Sequence, residues 1–594
     1  MHTFKRFYAI FACILIIALL VSCAAPKSDT TATSNEISQT QAVVETTETT
    51  SAMSEQDTQN SQGPQVTDPG KLPISSLPVT LTCMMTGGYA AYDYSKENNT
   101  CLQWMLASTG IDLDITYVPG TDIETKRQLA LSSGDYPDIF WGSGFTAADC
   151  VKYGSDEKIF IPLNSLIDNY SYWYKDALDV MPDQLKVITQ MDGNIYGIPN
   201  TEDSYHVSMS RKMWVNKDWM EALDIKIPET TSEFYDLLIA FKTRDPNGNG
   251  ITDEIPLIAG VGSKGVWQGD PCGFLLNSFC PFYSEDYSNY LYNDNGTIKC
   301  VAIMDEYREG LGYINKLWNE GLLDHSSFTN GSDDLYAITN NETKIIGCFP
   351  TGYVGCVTDV SNYENERPYH MVIPPLEGPN GRRAAWYSPQ GVYTGSNFSI
   401  TDKCEFPEIA FRFLDFQFSI ETTMRNFWGP KGETWEWLPE DTTLKTVDGS
   451  KAIISYLPDY DYVISGIYNN RLGIRPAFMG KAYNYGWTSN EKAPEDWTFM
   501  NEVDYAQGYF TDPYVPYADK DSPLSPIIYT QEDNETLTQL QLVLRNYLDT
   551  QRVAFISGES SLDNDWATYV ERVKGMELDK IIGIVQAGYD RMYK

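Results

Sequence analysis

Histidine is the scarcest chemistry-bearing residue in this chain, with four among 594 positions, one of them His2 at the extreme start. The familiar catalytic signatures are missing too. No GxSxG elbow, HExxH helix or Walker-type GxxxxGKS/T loop occurs, which leaves serine-hydrolase, zincin and P-loop chemistry without a sequence basis. Cysteine is sparse and scattered. Of eleven, Cys13 and Cys23 lie near the amino terminus, and the remaining nine form no CxxC pair and no Cys–His cluster. An odd, dispersed set argues against zinc and against a complete disulfide framework. Cys272/Cys280 and Cys348/Cys356 are near enough in sequence to bridge, but ordinary buried thiols suit them better. Positive charge is short as well: 43 Lys and Arg face 81 Asp and Glu, a net −38. Such a surface repels polyanions and excludes a nucleic-acid partner. Beyond the first 22 residues no apolar run reaches the roughly 20 residues that a membrane span needs.

What is present starts with Lys5 and Arg6, an apolar run from Phe7 to Val21, and Leu20-Val21-Ser22-Cys23. A basic start, a short apolar core and small residues before a cleavage point describe a secretory signal over 1–22. The Leu-Val-Ser-Cys ending resembles the bacterial lipobox. That resemblance implies that Cys23 carries diacylglycerol, becomes the mature first residue and anchors the protein on the outer face of the cell membrane. From Ala24 to about Leu77 the chain is rich in Ser, Thr, Gln and Glu and has no aromatic residue. It cannot bury enough surface to offset its own entropy, so 23–77 reads as lipidated cysteine plus flexible tether, with a reach of about 40 Å.

The remaining chain is rich in aromatics, with 14 Trp and 40 Tyr. Pro78 to Met85 reads as a buried strand and Ile111 to Val118 as an alternating one, with helices near 98–108 and 123–132 between and after them. Strands alternating with helices indicate an α/β fold with parallel pairing, in which ligands bind beyond the carboxyl ends of strands. Farther on, Thr230-Thr-Ser-Glu233 has the form of a capping box opening a helix with Phe234, Leu237, Leu238 and Phe241 on one face. Pro407 opens an apolar helix, and the last 30 residues read as two helices.

Several phrases, in order along nearly all of the folded chain, carry a family resemblance. They include Gly134-Asp-Tyr-Pro-Asp-Ile-Phe-Trp141, Asp192-Gly-Asn-Ile-Tyr-Gly-Ile-Pro199, Val215-Asn-Lys-Asp-Trp-Met220, Glu320-Gly-Leu-Leu323 and Phe555-Ile-Ser-Gly558. Together they resemble the carbohydrate-binding lipoproteins of bacterial ABC importers. The resemblance implies a two-lobed periplasmic-binding-protein-like α/β fold with crossing hinge segments and a ligand cleft between the lobes. It places lobe 1 at 78–202 and 396–424 and lobe 2 at 203–395 and 425–594. The section 442–534, rich in Tyr and Asp, departs from the family pattern. The implied partners are an oligosaccharide and the membrane subunits of an ABC importer, with the protein a monomer, no enzyme and without an organic cofactor. Two other readings stand beside it, an extracellular glycosidase, which would need only two placed carboxylates, and a surface adhesin or sensor.

For the ligand site the expected residues are aromatics in loops, because flat apolar rings with a polar edge suit the C–H faces of sugars. Trp141 ends a strand, and Tyr89 follows the first strand's Gly87-Gly88 turn. Trp267 lies in the glycine-rich stretch Gly260-Val-Gly-Ser-Lys-Gly-Val-Trp267, Tyr353 in Thr351-Gly-Tyr-Val-Gly355, and Trp386-Tyr387 shortly before Gly391. A structural calcium ion is expected in the loop that starts at Asp245. Oxygen donors at Asp245, Asn247 and Asn249, with Gly250 sixth, match the first half of an EF-hand loop. Pro256 occupies the twelfth position in place of the bidentate Glu. Here Asp253 and Glu254 close the set, with the Ile251 carbonyl between. This variant resembles the calcium loop of the alginate-oligosaccharide-binding proteins in the same family.

Overall fold

A computed structural model describes residues 63–87, 93–202, 206–262, 265–283, 289–360, 362–388, 393–445, 450–457, 471–479 and 507–594. Cys23, the signal segment and Tyr89 lie outside the described residues.

The first lobe is built on a four-stranded sheet in the order Ser396–Ile400, Ile139–Phe145, Val79–Met85, Ile111–Tyr117. Val79–Met85 runs parallel to both Ile111–Tyr117 and Ile139–Phe145, and Ser396–Ile400 closes the edge antiparallel to Ile139–Phe145. Both faces are covered. Leu81, Cys83 and Met85 join the large core that includes the helix Pro407–Phe416, while Met84 joins a smaller core on the opposite face. Two-residue alternation explains the split, with Thr80 and Thr82 exposed near the start of the strand and only its carboxyl end buried on both faces.

The second lobe holds a smaller mixed sheet in the order Val372–Ile373, Lys212–Val215, Ile346–Thr351, Ile255–Leu257. Lys212–Val215 is antiparallel to both neighbours, and Ile255–Leu257 is parallel to Ile346–Thr351. The helix Thr231–Thr243 opens with the expected capping box: Glu233 N–H donates to Thr230 Oγ1 at 3.1 Å, and Thr230 N–H to Glu233 Oε2 at 3.1 Å. Phe234, Leu237, Leu238 and Phe241 all enter the core. The terminal helices Gln531–Ser557, Trp566–Gly575 and Leu578–Tyr593 pack there too.

The chain crosses between lobes where Ile198 pairs with Phe398 and where Thr201–Glu202 pairs in parallel with Phe478–Met479. Asn200 knits these crossings. Its N–H donates to Asn397 Oδ1 at 3.1 Å, and its Oδ1 accepts from Ala477 N–H at 3.2 Å. Two expectations about boundaries need correcting. Residues 425–445, 450–457 and 471–479 do not belong with the second lobe: Trp428, Trp435, Ile454, Leu472, Ile474 and Phe478 bury their side chains in the first lobe's core. Nor does the tether run to residue 77. Ile74 is buried, Val66 bridges Ser75, and the Arg412 guanidinium donates to the carbonyls of Thr67, Asp68 and Lys71 at 2.7, 2.7 and 3.1 Å. Among the described residues no helix is long and apolar enough to cross a membrane. The nine described cysteines are all free, including Cys272, Cys280, Cys348 and Cys356.

Candidate functional site

The expected aromatics separate by lobe. Trp141 belongs to the first lobe, is 0% exposed and meets Phe413 edge-on at 5.4 Å. It shares a strand face with Ile139, turned toward the large core, and its indole N–H has no partner among the described residues. In this structure the ring has no face to offer a ligand.

Trp267, Tyr353, Trp386 and Tyr387 all lie in the second lobe. Trp267 is 40% exposed. Its carbonyl accepts from Gly352 N–H and from Thr351 Oγ1, both at 3.1 Å, which ties it to the carboxyl end of Ile346–Thr351. Its ring lies on Gly352, where a Cβ would stand 2.5 Å from two ring carbons. Only glycine permits that approach. His206 meets the same ring edge-on, with centroids 5.7 Å apart. Tyr353 is half-buried beside it, and its carbonyl accepts a second bond from Thr351 Oγ1 at 3.1 Å.

Trp386 is only 6% exposed, for a specific reason. The Arg211 guanidinium lies 4.6 Å from its ring centroid, and Tyr283 packs near it at 6.5 Å. The expectation that Trp386 stacks on ligand meets a ring already covered by a cation. Tyr387 is half-buried, with the Lys520 ammonium 5.7 Å from its ring.

The sequence reading did not single out the polar groups around these rings. Arg211 donates from Nε to Gln268 Oε1 at 3.0 Å. Lys212, 1% exposed, donates from Nζ to the carbonyls of His206 and Met209 at 3.3 and 3.0 Å. Burial lowers the Lys212 ammonium to a pKa of about 7, and burial plus the Lys212 charge hold His206 well below the ordinary histidine range. At the crossing segment Glu202 is buried and accepts from the Tyr393 hydroxyl at 3.4 Å. One signal was available in the sequence: two cations, Arg211-Lys212, leading into the apolar run Met213-Trp-Val215.

The loop from Asp245 to Glu254 folds on its own carboxylates and amides. Asp245 Oδ1 and Oδ2 accept from the backbone N–H groups of Asn249 and Gly250 at 3.1 and 3.0 Å. Asn249 Oδ1 accepts from Ile251 N–H at 2.7 Å, and the Asn249 amide donates to both Asp253 oxygens at 3.2 Å. Gly248 and Gly250 both have positive φ, as the tight turn requires. Glu254 Oε1 is buried with no partner among the described residues. Burial, then the charges of Asp245 and Asp253, push its carboxyl above the usual range. A hard cation would relieve both conditions, so the donor chemistry fits. Among the described residues, however, no three His, Cys, Asp or Glu side chains stand close enough together to hold a metal ion. The fit therefore depends on the two asparagine amides and the Ile251 carbonyl as well as the acids.

The fructooligosaccharide ABC transporter substrate-binding protein FusA of Streptococcus pneumoniae is 26% identical over 498 residues, 82% of this chain and 86% of that protein. A solved structure of a FusA EF-hand mutant with fructo-nystose is 26% identical, covers 86% of this chain and 99% of its own, and superposes with a TM-score of 0.67. An HMO-binding solute-binding protein from Bifidobacterium longum infantis shares the fold, with a TM-score of 0.71 at 20% identity over 87% of this chain and 99% of its own. The family model for bacterial extracellular solute-binding proteins matches residues 88–424, which takes in the first-lobe strands Ile111–Tyr117, Ile139–Phe145 and Ser396–Ile400, the outward crossing and the second-lobe sheet. This chain belongs to the bacterial extracellular solute-binding protein family.

Proposed function

We propose that this protein captures an oligosaccharide between its lobes and delivers it to an ABC importer, held at the outer membrane face by a lipid on Cys23. The observation that carries the reading is Trp267: an indole 40% exposed at the carboxyl end of a second-lobe strand, backed by glycine and bordered by polar groups. That is the arrangement a sugar ring needs, one flat apolar face with hydrogen-bonding groups at its rim. The relatives' names support the class of ligand, since FusA is a fructooligosaccharide substrate-binding protein. Tyr89, Tyr353 and Tyr387 are proposed to complete the contact surface. Trp141 and Trp386 are proposed to support it from within.

The deciding experiment incubates the purified protein with fructo-nystose and a panel of other glycans, and follows melting temperature and glycan integrity together. A melting rise with glycan recovered intact is the expected outcome. Release of reducing sugar would favour the glycosidase reading, and binding to peptides alone would defeat the substrate class. Replacing Cys23 by serine should release the protein from the membrane fraction; retention would remove the lipid anchor.

The loop Asp245–Glu254 is proposed to hold a calcium ion, with Asp245, Asn247, Asn249, Asp253 and Glu254 supplying side-chain oxygens and Ile251 its carbonyl. The ion would brace the connection between helix Thr231–Thr243 and strand Ile255–Leu257. The buried, unpartnered Glu254 oxygen and the FusA neighbour described as an EF-hand mutant support this role.

A further inference from the structure

Two buried basic side chains bond the residues next to the exposed indole, Arg211 through Gln268 and Lys212 through His206. Arg211 is 5% exposed and Lys212 1%. Burying cations costs several kcal/mol unless they are well satisfied, so what they hold is informative.

We propose that Arg211 and Lys212 are positioning residues that fix the face Trp267 presents to ligand. The proposal rests on the reading of Trp267 as a sugar platform. Arg211 is constrained on three sides. Its stem lies on Gly273, where a Cβ would stand 2.8 Å from Arg211 Cδ, its guanidinium covers Trp386, and its Nε–H donates to Gln268 Oε1. Gln268 directly follows Trp267 and has φ of 58°. A non-glycine residue costs about 1–2 kcal/mol in that region, so a side-chain bond that holds it there also holds the turn that carries the indole. Lys212 acts from the other side. Its two bonds tie His206, just before the short helix Val207–Met209, and Met209, its last residue, to the start of the strand Lys212–Val215. His206 then stands edge-on to Trp267. With Gly352 against the ring, the indole is held by its carbonyl, by an adjoining glycine, by an edge contact and by the next residue's backbone. The surface left open is the one a sugar would meet.

The test reads the platform directly and then its effect on affinity. In protein labelled with 5-fluorotryptophan, the Trp267 fluorine resonance is assigned by its loss in Trp267→Phe. Lys212→Met and Gln268→Leu should each move or broaden that resonance while those of the first-lobe Trp173 and Trp435 stay in place. Each should also weaken fructo-nystose binding about tenfold in the unsubstituted background. In the Trp267→Ala background neither should weaken it further. Gln268 is only half-buried, so its variant keeps the test available should Lys212→Met fail to fold. An unmoved Trp267 resonance in the folded variants would overturn the proposal. So would additive losses of affinity in the Trp267→Ala background. If neither fructo-nystose nor any other glycan of the panel binds the unsubstituted protein, the substrate reading fails, and the resonance alone decides whether the two cations set the indole.

Discussion

Trp141 in the first lobe was expected to end a strand and Trp267 in the second sits beside the carboxyl end of one, and the structure uses them in opposite ways. Trp141 lies inside the strand Ile139–Phe145, which has cores on both faces, so its ring packs against Phe413 and becomes part of the fold. Trp267 lies in a loop beyond strand Ile255–Leu257, against Gly352 of another chain segment, and keeps 40% of its surface exposed. The lesson is that a tryptophan near a strand end says little until the number of covered faces is known. A strand layered on both sides has no ring to spare. A glycine-backed loop does.

The largest expected effect falls on the buried member of the pair. Trp141→Ala should cost about 3–5 kcal/mol of stability through lost transfer energy and a cavity. The affinity of the protein that remains folded should be close to unchanged. Denaturant unfolding alongside calorimetric titration checks both. A loss of fructo-nystose affinity at unchanged stability would break the contrast and return Trp141 to the ligand surface.

Each lobe also buries a titratable group whose charged form burial disfavours. The first holds Asp415, which accepts from the backbone N–H groups of Tyr172 and Tyr174 at 3.0 and 2.9 Å, and burial raises its carboxyl to a pKa of about 6. The second holds Lys212, lowered to about 7 by burial. The signs follow from proton counts in the folded and unfolded chain. Asp415 binds a proton more tightly when folded, so its contribution is full below the ordinary value of 3.8 and is lost as pH rises through about 6. Lys212 binds its proton less tightly when folded, so its burial penalty is full below pH 7 and fades as pH rises toward 10.5. Asp415→Asn should therefore remove about 3 kcal/mol of pH-dependent stability between pH 4 and 6, read as the difference between variant and parent. Lys212→Met should remove a rise in stability above pH 7. Identical slopes in variant and parent would show that these groups are not buried as charges.

Much of the fold was legible because its signals are local. The Thr230–Glu233 capping box, the strand Val79–Met85 and the helix Pro407–Phe416 each announce themselves within a dozen residues. The first lobe's claim on Trp435, Ile454 and Ile474 was not legible, because they lie in segments too short to show a period, and only tertiary packing assigns them. The candidate site divides in the same way. Trp267 was visible from its glycine-rich neighbourhood, but the cover over Trp386 was not. It depends on Arg211, 175 positions away in sequence. Buried cations at the head of an apolar strand were the available hint.

Calcium comes next in size and bears on the second lobe alone. If the ion binds only the native state, saturating it at a hundred times its dissociation constant adds about 2.7 kcal/mol. Chelation should lower the melting temperature, calcium should restore it, and Glu254→Gln should blunt both responses. No change on chelation would remove the ion and leave the loop to its own hydrogen bonds.

The smallest effect is the most discriminating. Trp267→Ala should weaken fructo-nystose binding by roughly 1–2 kcal/mol, the scale of a truncated aromatic anchor. Its cost to stability should stay well below that of Trp141→Ala, because an indole already 40% exposed has less surface to lose from the core. Some cost remains, since the ring covers Gly352 and meets His206. Trp267→Phe separates the two contributions. A phenyl ring keeps an apolar face over the glycine but covers a smaller area, so it should recover most of the stability and only part of the affinity. If alanine and phenylalanine bind fructo-nystose equally well, the ring area is not what the sugar meets, and the contrast between the two tryptophans reduces to one of packing.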